Sequence, residues 1–212
     1  MSRHPSPPPP SSPPPRRRFF AGFAALAALG ATLGSALDAI HSHFGATSYA
    51  RPIFAKAAWW VPLLFAGAYA SAIARPLMNR DPAPSGRRVA LGMALFIGAY
   101  WMSVARIPWQ ARTAVIAILF AAGYWFCDRT RSCLIVAAIA GVCGPVVEMI
   151  LVSAGAFVHH EVHVLGVPWW LPFLYFSAAP GLGSLAKWIV DGGREISPAE
   201  AQPSPLRRSG PP

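Results

Sequence analysis

Six apolar runs carry most of the chain, at approximately 19–40, 57–78, 89–105, 112–127, 132–157 and 168–190. Alanine, glycine and leucine dominate them, and none alternates with period two, so the pattern predicts helices and not a lipid-embedded barrel. A helix needs about 20 mostly apolar residues to cross the hydrocarbon core, and the third and fourth runs carry the least margin. The short segments between runs predict antiparallel neighbours. No internal repeat with a period of about 20–50 residues stands out. The fold class expected is all-α, a polytopic bundle of six transmembrane helices over 19–190.

Composition supports this. Of 212 residues, 54% are hydrophobic and 12% charged, against about 25% charged in an average soluble domain. Such a chain cannot clothe a soluble globule in polar surface. The net charge of +10 would suit nucleic acid, but the basic residues lie in tails and between apolar runs, so no nucleic-acid partner is expected. Thirteen of the 23 prolines fall outside 19–197. Residues 1–18 and 191–212 therefore read as disordered tails, because Pro/Ser/Arg segments bury too little to offset ordering entropy.

Placing the N-terminus in the cytoplasm puts fourteen of the 18 Lys and Arg on that side. Four remain opposite: Arg51, Lys56, Arg106 and Arg112. The positive-inside rule then predicts both termini cytoplasmic, as six spans require. Trp59, Trp60, Trp109, Trp169 and Trp170 fall at span ends, where an aromatic belt would lie. The first run, about 22 residues, is too long for a signal-peptide core of about 7–15.

Inside the runs, Gly22, Gly30, Gly34 and Asp38 share one helical face, which predicts close helix packing within the chain. Pro62, Pro145 and Pro180 should kink spans and open space between them. Gly181-x-Gly183-x-x-Ala186 imitates a dinucleotide fingerprint but lacks the strand–turn–helix context it needs. Three cysteines, Cys127, Cys133 and Cys143, form neither a disulfide framework nor a zinc knuckle. Glu148 is the one acid deep in a run, so it should be paired, neutral or facing a cavity. His41, His43, His159, His160 and His163 follow runs 1 and 5. His159 and His163 would share a face if the helix continued, which keeps open an alternative: a metal-dependent intramembrane enzyme acting on lipids.

Three segments carry a family resemblance. Ala58-Trp59-Trp60-Val61-Pro62 resembles the Ala-Trp-Trp-Val-Pro stretch of the Insig (insulin-induced gene) family. Trp125-Phe126-Cys127-Asp128-Arg129-Thr130-Arg131-Ser132 is similar to that family's Trp-Thr-Phe-Asp-Arg-Ser-Arg-Ser loop. Trp170-Leu171-Pro172 matches its Trp-Leu-Pro at the sixth span. Pro76, Arg80, Phe96 and Gly98 also fit, and the likeness runs over 19–190 in order.

The resemblance implies a divergent, prokaryotic-type member with no catalytic activity and no cofactor. It implies a sterol or diacylglycerol-like lipid bound within the bundle and control of lipid metabolism through another membrane protein. The membrane would be the endoplasmic reticulum in a eukaryote and the cell membrane in a bacterium. By the same resemblance, Phe96, Tyr124 and Gln110 belong to the lipid pocket and Asp128 to a partner surface; Glu148 joins the pocket as its polar group. The chain departs from eukaryotic members at Tyr100-Trp101, where they carry Asn-His, and at Tyr124, where they carry tryptophan.

Overall fold

The computed structural model describes residues 16–53, 55–78 and 83–192. Apart from 16–18 and 191–192, both proline-rich tails lie outside the described residues. The apolar runs fold into six long antiparallel helices: α1 (Arg16–His43), α2 (Val61–Met78), α3 (Gly86–Ser103), α4 (Trp109–Cys127), α5 (Arg131–Ser153) and α6 (171–190). Helices α1, α2, α4 and α5 are long and apolar enough to cross a membrane on length and composition. In α3, Arg87 and Arg88 occupy the first turn. In α6, a π-helical turn, Ala179–Gly183, interrupts the α-helix, and α1 carries another at Gly30–Gly34.

The start of α1, the end of α6 and the 128–130 loop lie at one end of the bundle, the terminal end. The opposite end carries two short strands, β1 (Thr47–Tyr49) and β2 (Phe157–His159), paired antiparallel with Ser48 opposite Val158. The strands follow α1 and α5 directly. Each helix stops at a glycine with positive φ, Gly45 at 74° and Gly155 at 71°, a conformation glycine adopts without steric cost. The helix therefore does not continue through His159 and His163: His159 stands in β2, and the two do not share a helical face.

Pro62 lies in the first turn of α2, where the missing N–H costs no hydrogen bond, so it starts that helix and does not kink it. Pro145 lies inside α5 and Pro180 in the π turn of α6.

The chain carries a duplication of longer period than about 20–50 residues. Between the π turns of α1 and α6, residues separated by 110 positions correspond across α1–β1–α2 and α5–β2–α6. Gly45-Ala46 matches Gly155-Ala156, and Trp59-Trp60-Val61-Pro62 matches Trp169-Trp170-Leu171-Pro172. Both connections pass through the same left-handed pair, Ala55 (φ 47°) and Lys56 (61°) in one, Leu165 (47°) and Gly166 (89°) in the other. Both close the same turn, with Ile53 N–H to Ala57 C=O at 2.9 Å and His163 N–H to Val167 C=O at 3.1 Å. The strand register makes Ser48 face its own counterpart Val158. The two helix pairs are thus related by a pseudo-two-fold axis through the sheet, with α3 and α4 inserted between them.

Within each pair a glycine seats an aromatic ring. A side chain at Gly34 would strike the Phe65 ring, and one at Gly144 would strike that of Tyr175, again 110 residues apart. Gly30 adds a second close approach, against the Phe65 carbonyl and Tyr69. Lipid tails give helices no hydrophobic reason to associate, so close backbone packing of this kind holds the pairs together.

Candidate functional site

The seam between α2 and α5 is hollow. A cavity of about 630 Å³ lies there, within the roughly 300–1,000 Å³ usual for small-molecule sites. Its mouth is formed by exposed apolar residues, among them Leu63 and Leu64 of α2 and Ile139 and Val147 of α5, with the free thiol of Cys143 beside them. The cavity therefore faces the hydrocarbon directly. Its inner wall is buried: Tyr69 of α2, Phe96 and Tyr100 of α3, Leu174 and Leu182 of α6. Phe96 stands edge-on to both phenols, 6.2 Å from Tyr69 and 5.3 Å from Tyr100. Tyr175 completes the lining from α6, and among the described residues no charged one belongs to it.

At the sheet end a polar network backs this wall. Glu148 accepts hydrogen bonds from the Tyr175 hydroxyl at 2.6 Å and from His159 Nε2 at 2.7 Å. Its counterpart in the duplication, Asp38, accepts one from the Tyr49 hydroxyl at 2.7 Å. Tyr49 and His159 are themselves counterparts, so each carboxylate ties its helix to the strand that follows. Burial, then the adjacent Asp38 carboxylate, push the Tyr49 phenol well above its usual pKa, so it keeps the proton it donates. His41 donates from Nε2 to Ser103 Oγ at 2.7 Å, since the Ser103 hydroxyl is itself donated to Tyr100 C=O at 2.6 Å. The His41 ring stacks on Tyr100 at 5.4 Å.

The other histidines are dispersed. His160 bonds Ser48 at 2.7 Å, and the His163 ring lies 4.7 Å from that of Trp109. Among the described residues no three His, Cys, Asp or Glu converge to hold a metal ion. The structure therefore offers no support for the metal-enzyme alternative.

Of the residues singled out in sequence, Phe96 lines the cavity and Glu148 touches it through Tyr175. Tyr124 packs in a separate small cluster with Cys133, Ala137 and Phe176. Gln110 is exposed in the first turn of α4, at the sheet end. Gly98, two residues from Phe96, faces away: a side chain there meets nothing within 4 Å and would leave the cavity unfilled. Tyr69, Tyr100 and Tyr175 were not expected in the lining, because an aromatic in an apolar run usually marks only a core position.

Asp128 lies at the terminal end. Its Oδ2 accepts from an Arg75 terminal nitrogen at 2.6 Å, and its Oδ1 from the Thr130 hydroxyl at 2.7 Å. The pair is nearly closed off, with side-chain exposures of 2% for Arg75 and 8% for Asp128. Thr130 also caps α5 by accepting from the Cys133 N–H. One buried ion pair thus fixes both helix ends at this loop and the end of α2.

No protein-family model matches the chain, and no curated protein does. Two solved structures do. One is a mycobacterial Insig homolog, MvINS from Mycobacterium vanbaalenii, with TM-score 0.73, 26% identity, and 83% of this chain and 97% of that one covered. The other is a cross-linked trimer of MvINS, with TM-score 0.75, 25% identity and the same coverage.

Proposed function

This chain is a divergent, prokaryotic-type Insig-like membrane protein, and we propose that it binds an uncharged lipid in the cavity between α2 and α5. The observation that carries this reading is the cavity itself, about 630 Å³ with an apolar mouth facing the bilayer and phenols at its inner wall. A phosphate-bearing headgroup would need a cation to meet it in this low dielectric, and none of the described residues lining the site supplies one. A sterol or a diacylglycerol-like lipid, apolar with one hydroxyl, suits it. Phe96 packs against the bound molecule, and Glu148 holds the Tyr175 hydroxyl in place. The protein is non-catalytic and acts through a membrane partner, with both termini in the cytoplasm. Asp128 serves that partner by holding the 128–130 loop in shape, since both carboxylate oxygens are already engaged.

Reporter fusions at Arg129 and His163 should fall on opposite sides of the membrane; the same side for both would sink the orientation. Purification in mild detergent followed by lipid extraction and mass spectrometry should yield a neutral lipid near one per chain.

A further inference from the structure

We propose that a groove between α1 and α3 at the sheet end holds a membrane phospholipid with an anionic headgroup, its phosphate on Lys56 and one acyl chain along α1. The groove, about 460 Å³, shares no described residue with the α2–α5 cavity. Ala36, Ala39 and Ile40 of α1 form an apolar floor. Phe44 and Trp101 form an aromatic rim, with His43 and Lys56 at the polar end. From Ala36 to Phe44 the helix rises about 12 Å, so the floor runs from the end of α1 toward the hydrocarbon. The two rim rings meet edge-on at 5.8 Å, and Trp101 is 52% exposed, as suits an indole at headgroup level.

Charge selects the occupant. Among the described residues no carboxylate pairs with Lys56, whereas Arg112 at the same end is engaged by Glu161 at 2.8 Å. A free ammonium at the membrane surface attracts anionic headgroups. The duplication shows that this lysine is not needed by the frame. Lys56 is held at φ 61°, a left-handed conformation that strains a lysine, and its counterpart is Gly166, at 89°. One copy thus meets the turn with a glycine, and the other keeps a strained cation there. The rest of the groove departs from the other copy in the same sense. Ala36 and Ala39 stand where α5 has Val146 and Met149, which lowers the floor. His43 and Phe44 replace Ser153 and Ala154. Even a neutral imidazole donates one N–H, so His43 serves a phosphate oxygen beside the ammonium. The groove therefore takes the lipid class for which the lining of the α2–α5 cavity offers no cation.

Lys56→Gly installs the counterpart's residue, removes the charge and relieves the left-handed strain, so the variant should melt no lower than wild type. The probe is a phosphatidylglycerol carrying a diazirine in one acyl chain. After photolysis in detergent, label on segment 36–44 is measured by mass spectrometry. Its half-saturating concentration should rise about fivefold in Lys56→Gly, the worth of one lysine near the membrane surface. A phosphatidylcholine with the same labelled chain should mark wild type weakly and change little in the variant. Ala36→Leu raises the floor at an exposed position and should cut the phosphatidylglycerol label severalfold with Lys56 in place. Equal labelling of wild type by the two lipids, or no loss in Lys56→Gly, overturns the headgroup role of Lys56. Displacement of the label by millimolar inorganic phosphate would mean an ion site and overturn the lipid as occupant. If Ala36→Leu changes the oligomeric mass and leaves the label unchanged, a second chain covers the groove and the proposal fails. Each of these failures leaves neutral lipid copurified in the α2–α5 cavity untouched, so it is told apart from failure of that reading.

Discussion

The two helix pairs, α1–α2 and α5–α6, are built alike and used differently. Each has a glycine seat for an aromatic ring, a carboxylate bonded to the strand that follows, and the same Trp-Trp-x-Pro start to its second helix. Yet the seams they leave differ. Between α1 and α6, Leu26 and Leu37 of α1 are buried in the core, and Leu29 and Leu33 pack against it. Helix α3 lies across these helices, pressing Gly92 against the Pro180 carbonyl and bonding Ser103 to His41. Between α2 and α5, Val136, Ile139, Cys143 and Val147 of α5 line the cavity instead of closing the seam. Neither inserted helix closes that side. A duplicated frame thus provides rigidity twice and a cavity once, because the inserted helices cover one seam and leave the other open.

The largest effect should come from a feature only one copy has. Arg75 lies past the residues over which the copies correspond, so the Arg75–Asp128 pair belongs to the first copy alone. Asp128→Ala leaves a buried guanidinium unpaired and should cost about 3–5 kcal/mol, read as a large fall in melting temperature. Loss of partner capture with an unchanged melt would return Asp128 to a direct contact.

The seats test the likeness itself. Gly34→Leu and Gly144→Leu should each destabilise by about 1–3 kcal/mol or more, since a side chain at either would meet an aromatic ring. If only one variant suffers in thermal melts, the two pairs are not mechanically equivalent.

A smaller contrast separates the carboxylates. Glu148 accepts two side-chain hydrogen bonds and Asp38 one. At about 1.5–3 kcal/mol for a bond to a charged group, Glu148→Gln should lower the melting temperature more than Asp38→Asn. The reverse order would mean that Tyr49 matters more to the frame than Tyr175 and His159 together.

The six helices were legible because apolar runs of spanning length have few alternatives, and so was the need of Glu148 for a partner, as a lone acid in hydrocarbon. The sheet was not, because three-residue strands such as Thr47–Tyr49 leave no period to read. The duplication had a signal, the two Trp-Trp-x-Pro segments and two Gly-Ala steps 110 residues apart, but its period lies beyond that of ordinary repeats. The cavity was half legible. Prolines suggested space between spans, yet only the fold places it beside Gly67 and away from Gly98.

That position gives the central test. Gly67 lines the cavity, and a side chain there would meet nothing within 4 Å. Gly67→Leu should therefore fold at least as well as wild type, with helix propensity adding roughly 0.5–1 kcal/mol, while its leucine occupies ligand space. The decisive measurement is the neutral lipid extracted per mole of purified protein, wild type against Gly67→Leu, each checked by its thermal melt. The account predicts a stable variant with its copurified neutral lipid reduced severalfold. A stable variant holding the wild-type amount would contradict a lipid site between α2 and α5.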